Sequence, residues 1–211
     1  MANIASVTLD VADTTAAHRF YTTAFGLDSQ LRLRASEEAS TGFRGFTLAL
    51  TVSQPGDVKS LVDAALAAGA TSLKPVSKSL WGYGGVVQAP DGTIWKVATS
   101  AKKDTGPVTR RIDEMVLLLG VADMAASKQF YVEQGLTMAK SFGRMYCEFE
   151  AASGAFKLAL YRRRALAKDL GVSPDGTGSH RLMINGGDGP FVDLDGYAWE
   201  TAAPVQRTPS A

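Results

Sequence analysis

The sequence holds one cysteine, Cys147, and two histidines, His18 and His180, in 211 residues. A single cysteine excludes an intrachain disulfide and fits a reducing compartment, so a cytoplasmic protein is expected. Cys147 stands in Met145-Tyr146-Cys147-Glu148-Phe149, an alternating strand-like stretch, and reads as a small apolar core residue without a base partner nearby. The net charge is only +1, which provides no long-range field for nucleic acid or an anionic membrane, and both are excluded as expected partners. No apolar run approaches the roughly 20 residues needed to span a bilayer. The opening Met1-Ala2-Asn3-Ile4 shows no basic region followed by an apolar segment, which predicts no signal peptide. Also missing are a Gly-x-Ser-x-Gly elbow, a phosphate-cradling loop and a Cys-x-x-Cys pair.

What is present is an ordinary globular composition, 45% hydrophobic and 20% charged, over a length that suits one large domain or two small ones. Arg162, Arg163 and Arg164 form a short basic run, read as the solvated start of a helix or as an anion contact. His18 lies beside Arg19 on a polar helix face and is expected to be solvated.

The strongest signal is an internal repeat. The chain opens Ile4-Ala5-Ser6-Val7-Thr8-Leu9-Asp10-Val11-Ala12-Asp13, and a second β-rich run, Ile112 to Asp123, also ends in Val-Ala-Asp. Each aspartate can cap a following helix by accepting its orphan backbone N–H groups. Both helices carry Phe-Tyr seven residues on (Phe20-Tyr21 and Phe130-Tyr131) and stop at Gly26-Leu27 and Gly135-Leu136. Glycine at that place suits a left-handed helix end. Phe46-Thr47-Leu48-Ala49-Leu50 echoes Phe156-Lys157-Leu158-Ala159-Leu160, both readable as strands. Asp91-Gly92 and Asp195-Gly196 then mark closing hairpins ending in Ile94-Trp95-Lys96 and Ala198-Trp199-Glu200.

The middles differ. The first copy has an amphipathic helix from Asp57 to Ala68, stopped by Gly69. The second has only a short candidate, Arg164 to Leu170, and a turn-rich loop, Ser173 to Ser179, so it is trimmed. The expected organisation is a first module at 1–100, a polar Gly-Pro linker at 101–108, a second module at 109–203 and a flexible tail at 204–211.

This order of motifs, repeated twice over nearly the whole chain, resembles the vicinal oxygen chelate superfamily, which includes glyoxalases, bleomycin-resistance proteins and dioxygenases. The segment Phe46 to Thr99 is especially similar, with Ala68-Gly69-Ala70-Thr71, Lys74-Pro75, Trp81-Gly82-Tyr83-Gly84-Gly85 and Pro90-Asp91-Gly92. The resemblance implies an α+β fold of paired βαβββ modules, with curved mixed sheets around a cavity. The superfamily includes isomerases, dioxygenases, drug-modifying enzymes and drug-binding proteins, so the fold does not supply the reaction. Pairing of the copies within the chain is expected, with or without a homodimer.

The resemblance also implies a divalent metal held by His and Glu residues of three strands. In the first copy the matching positions are Ser6, Thr47 and Lys96: two poor ligands and a cation, which predicts a metal-free copy. In the second, Glu200 stands at the closing position and His180 starts a candidate middle strand. The opening position is Val116, or Glu114 if Gly120 is a one-residue bulge. A His180/Glu200/Glu114 metal site is therefore one reading. A surface or hydrogen-bonded histidine with a remnant glutamate is the other, and it is preferred because catalytic sites usually need three ligands. Asp193 and Asp195 share strand spacing, but Asp195 belongs to the turn, so paired-carboxylate chemistry is not expected.

The leading expectation is metal-independent binding of a small hydrophobic or aromatic molecule, without a cofactor, in a pocket lined by Trp81, Tyr83, Trp95, Tyr146 and Trp199. One alternative is a metal-dependent lyase, isomerase or dioxygenase that uses the second module and one divalent ion. The other is a structural or interaction protein without a ligand.

Overall fold

A computed structural model describes residues 4–28, 31–80, 82–151, 156–187 and 189–201. The first copy supplies β1 (Ile4–Val11), α1 (Thr14–Phe25), β2 (Leu31–Ala35), β3 (Ser40–Gly42), β4 (Phe46–Thr51), α2 (Pro55–Ala67), β5 (Thr71–Ser79), β6 (Gly82–Gln88) and β7 (Ile94–Thr99). The second supplies β8 (Glu114–Val121), α3 (Met124–Glu133), β9 (Met138–Phe142), β10 (Tyr146–Phe149), β11 (Lys157–Arg162), α4 (Arg163–Leu170), β12 (Gly176–Gly178), β13 (Leu182–Gly186), β14 (Phe191–Val192) and β15 (Ala198–Glu200).

Local chemistry sets the element ends as the repeat predicts. The Asp13 carboxylate accepts from the Ala16 N–H, and Asp123 accepts from Ala125 and Ala126. At the other ends, Leu27 N–H donates to the Tyr21 carbonyl and Leu136 N–H to the Tyr131 carbonyl, each closing a last turn around a left-handed glycine. The short candidate helix of the second copy forms as α4, one residue longer at its start than expected.

The sheets do not follow the copies. A curved eight-stranded sheet runs β5-β6-β7-β4-β8-β11-β10-β9, joining the later part of the first copy to the earlier part of the second. A five-stranded sheet runs β14-β15-β13-β1-β2, joining the chain's two ends. The seam of the large sheet is the antiparallel pair β4–β8, with Phe46 opposite Leu119 and Thr51 opposite Glu114. No register shift interrupts β8 on either side, so Gly120 is not a bulge; register shifts lie instead in β1, between Ile4 and Ser6, in β5, and in β10, between Glu148 and Phe149.

Strand alternation gives each sheet one apolar face. Leu48, Leu50, Trp95, Val97, Leu117, Leu119 and Leu160 of the large sheet join Val7, Leu9, Ile184 and Trp199 of the small one in a single buried cluster. The buried sides of α1, α2 and α3 complete it. At roughly 1.5–3 kcal/mol per fully buried large apolar side chain, this cluster is the main source of stability.

Polar bonds bind the junction between the copies to the core. Gln54, just before α2, accepts from the Thr105 and Gly106 N–H groups and donates to the Pro107 carbonyl. The buried Asp57 carboxylate accepts from the Thr109 and Arg110 N–H groups at 2.7 and 2.8 Å. Arg110, at φ 57°, sends its guanidinium to the Ala24 carbonyl at the end of α1. The basic run at 162–164 divides in the structure. Arg162 and Arg164 are exposed, but Arg163 is not the solvated residue expected: it lies over the Phe43 ring and donates to the Phe43 and Pro174 carbonyls. His18 is exposed, with Asp28 3.3 Å away.

Candidate functional site

With the apolar faces of both sheets committed to the core, each opposite face is open for chemistry. Register fixes what stands there. On the large sheet one row reads Val86, Lys96, Ala49, Val116, Lys157. A flanking row reads Gly84, Ala98, Thr51, Glu114; the other reads Thr47, Leu118, Ala159, Glu148, Lys140. A further row carries Tyr161, Tyr146 and Phe142, whose neighbouring rings lie 5.6 and 6.0 Å apart.

Charges on this face are paired. Lys157 Nζ lies 2.5 Å from Glu114 and 3.7 Å from Glu148, and Lys140 reaches Glu148 at 3.9 Å. The Tyr146 hydroxyl donates to Glu148 at 2.6 Å. Burial first, and then that carboxylate, hold the Tyr146 phenol well above its ordinary range. Lys96 Nζ donates at 2.6 Å to Asp169, which comes from α4 and not from the sheet.

Helix α4 lies over one end of the open face. Its Leu166, Ala167 and Leu170 form a second, smaller buried cluster with Phe43, Val86 and Ile94, against which Leu118 and Tyr161 pack. Lys74 Nζ donates to the last carbonyls of α4, those of Lys168 and Asp169. Beside this contact a cleft of about 290 Å³ opens, bordered by Lys74, Pro75, Gly84, Val86, Lys96, Ala98 and Asp169.

Two larger hollows lie elsewhere. One, of about 460 Å³, runs along the outside of α1 beside Pro90 and Asp91. Its Asp91 is already bonded to the Tyr21 hydroxyl, and its Asp13 caps α1. The other, of about 420 Å³, lies on the small sheet around Asp10, Arg34 and His180. There Arg34 donates from Nε and Nη2, one edge of its guanidinium, to the two Asp10 carboxylate oxygens at 2.7 and 3.0 Å. We place the candidate site on the large sheet, because its cleft joins an ion pair to apolar floor positions.

The residues expected to line one pocket are not brought together. Trp95 and Trp199 are 0% and 2% exposed and belong to the core. Trp95 packs on Tyr21 and Phe25, and Trp199 on Tyr131 and Phe191. The reason is strand parity: each tryptophan adjoins the residue at the presumed ligand position, so it points to the other face. Tyr83 borders the cleft, but its half-buried side chain packs against the main core. Tyr146 does stand on the open face. Trp81 lies outside the described residues. Tyr161, Phe142, Lys157, Glu148 and Asp169 were not singled out in the sequence. Lys157 was findable, because the repeat makes it the counterpart of Thr47.

The donor sets do not fit a divalent metal. Glu114 is on the large sheet, bonded to Lys157, whereas Glu200 is on the small one, in a row with Asn185 and Ser6. The Asn185 amide oxygen is occupied by the Ser6 and Thr8 hydroxyls. His180 stacks on Tyr197 with ring centroids 4.2 Å apart. Its Nδ1 and Nε2 face the carbonyl oxygens of Arg44 and Asp195 at 2.5 and 3.1 Å. Each ring nitrogen is thus turned to a backbone carbonyl oxygen, and neither points into open space where a cation could sit. Among the described residues no three His, Cys, Asp or Glu side chains converge. The 3D arrangement thus separates each copy's candidate ligand positions, Ser6 from Thr47 and Lys96, and Glu200 from Glu114, onto two sheets, with His180 just before β13, which spacing within one copy could not show.

No family model and no curated protein matches the sequence. Solved structures do. Glyoxalase I from Zea mays is 14% identical and aligns over 94% of this chain and 91% of its own, with a TM-score of 0.61. A point variant of the same enzyme gives 16% identity, coverage of 95% and 92%, and the same TM-score of 0.61. A putative dioxygenase from Bacillus subtilis gives 10% identity, coverage of 92% and 71%, and a TM-score of 0.55. The chain therefore has the α+β fold of the vicinal oxygen chelate superfamily. More particularly, its likeness to glyoxalase I runs along both chains from end to end. At these identities the likeness is one of fold, and the chemistry rests on the side chains present. Among the described residues no helix is long and apolar enough to cross a membrane.

Proposed function

We propose that this protein binds a small hydrophobic or aromatic molecule on the open face of its large sheet, without a divalent metal. The observation that supports this reading is the row Lys96, Ala49, Val116, Lys157. Two ammonium groups and two aliphatic side chains stand on the strands where the resemblance implies metal ligands, and an ammonium group repels a cation. Beside them, Phe142, Tyr146 and Tyr161 offer aromatic surface, with Phe142 64% exposed. A binding role needs only this surface and a few fixed polar groups.

The names of the similar structures, glyoxalase I and a putative dioxygenase, raise the alternative of an enzyme. That alternative requires a cation site that His180, Glu200 and Glu114 do not form. The test is a thermal-shift screen of aromatic and aliphatic small molecules in EDTA, repeated with divalent metals. A ligand that binds the folded state raises Tm in proportion to its concentration over Kd. Hits in EDTA are expected. Hits only with added metal would sink the proposal.

A further inference from the structure

The Lys96–Asp169 pair has an unusual origin. Lys96 stands on β7, inside the large sheet, yet its counter-ion comes from the last turn of the eight-residue helix α4. That helix is held by a small cluster separate from the main core and by the Lys74 ammonium on its final carbonyls. The pair is half-open to solvent, with side chains 32% and 39% exposed. Next to it lies the 290 Å³ cleft, which has Gly84, Val86 and Ala98 as adjoining apolar floor positions and Ser77, Ser79 and Thr99 also in its lining. Gly84 permits this floor to be flat: a Cβ there would sit 3.0 Å from the Val97 carbonyl and 3.2 Å from the Ala98 methyl.

An apolar floor ending at an ammonium group suits an organic anion. We propose that the cleft takes a small carboxylate with a hydrophobic body, and that its carboxylate replaces Asp169 on the Lys96 ammonium. This rests on the reading of the open face as a small-molecule site and names the class of ligand. Asp169 acts as a built-in competitor, holding Lys96 paired while the cleft is empty. A ligand that displaces it loosens the end of α4, so binding and release of that helix are coupled. No covalent step is involved: one carboxylate leaves the ammonium and another takes its place.

The test compares three probes with the same ring system by isothermal titration in EDTA: 1-naphthoate, 1-naphthalenemethanol and 1-naphthylmethylamine. The naphthoate is expected to bind at least tenfold more tightly than the other two. Asp169→Asn removes the competitor and is expected to tighten naphthoate binding severalfold. Lys96→Gln is expected to weaken it tenfold or more. Lys59→Gln, which removes the same charge from α2 on the far side of the sheet, is expected to change nothing. Circular dichroism establishes that each variant is folded, and Lys96→Arg gives a second, charge-preserving check that retains most of the binding. Equal affinity for acid and alcohol, or an Asp169→Asn protein no tighter than wild type, overturns the anion assignment while leaving the small-molecule reading standing. Failure of all three probes in every variant overturns the anion assignment, and failure of the broader EDTA screen as well overturns both.

Discussion

The two open faces carry corresponding positions of the internal repeat, yet they are different surfaces. On the large sheet the row holds Lys96 and Lys157, each paired to a carboxylate, and a short helix covers one end. On the small sheet the row reads Ser6, Asn185, Glu200, and two hydroxyls satisfy the amide oxygen. Each row takes residues from both copies, because the sheets exchange halves. A substitution in one copy therefore alters the row on one sheet with residues of the other copy as its neighbours. The core behind the two faces has not diverged in the same way. In each half a helix tyrosine packs on a strand tryptophan and donates to an aspartate of the closing hairpin: Tyr21 to Asp91 at 2.5 Å, Tyr131 to Asp193 at 2.6 Å.

Truncating the tryptophans should break the likeness of the two cores most visibly. Trp95→Ala and Trp199→Ala each leave a cavity in a packed interior and should cost roughly 3–5 kcal/mol in urea unfolding. Trp199, on the three-residue strand β15 of the smaller sheet, should fall at the low end. Equal loss from both would show that the halves are energetically equivalent.

The tyrosine bonds should differ next. Tyr131→Phe strips a donor from the buried Asp193 and should cost about 1–3 kcal/mol. Tyr21→Phe should cost less, because Asp91 is half-exposed and keeps water within reach. A reversed order in denaturant midpoints would contradict the burial argument.

Acid should separate two buried carboxylates by sign. Burial raises the Asp193 carboxyl above its ordinary range, ahead of the lowering bonds from Tyr131, Tyr197 and Asp195. The folded state then takes up that proton before the unfolded state does, so this group adds stability as pH falls through its folded pKa. Burial also pushes Asp57 upward, but the Arg110 and Thr109 N–H groups outweigh it and hold the carboxyl below its ordinary value. Its contribution is present above about pH 4 and is lost as pH falls toward the folded pKa. Tm measured from pH 6 to pH 2 should show a steeper acid limb in wild type than in Asp57→Asn, and a shallower one in wild type than in Asp193→Asn. The opposite slopes would refute the assignment.

The smallest effect is expected at the large face. Lys157→Met removes a partly exposed ammonium from Glu114 and Glu148 and should change stability by about 1 kcal/mol or less.

The repeat, the helix caps, the Gly-Leu stops and the Asp-Gly turns were legible because each depends on residues within a few positions. Cys147 in the core was legible for the same reason. The exchange of halves between sheets was not, since β4–β8 and β1–β13 pairing depends on distant segments with similar alternating patterns. Parity keeps two of the expected pocket residues inside: if Lys96 and Glu200 face outward, Trp95 and Trp199 cannot. The Gln54 and Asp57 bonds to the junction were hidden because they reach backbone N–H groups about 50 residues away.

Among the described residues, the positions where the resemblance implies metal ligands do not converge into a cation site. The most direct measurement is metal content by mass spectrometry on protein purified without chelator and supplemented with zinc, nickel and manganese. Glu114→Ala, His180→Ala and Glu200→Ala are run beside it. Well under one equivalent of any divalent ion is expected in all four proteins. One equivalent in the wild type, lost in the variants, would contradict it and restore a metal enzyme.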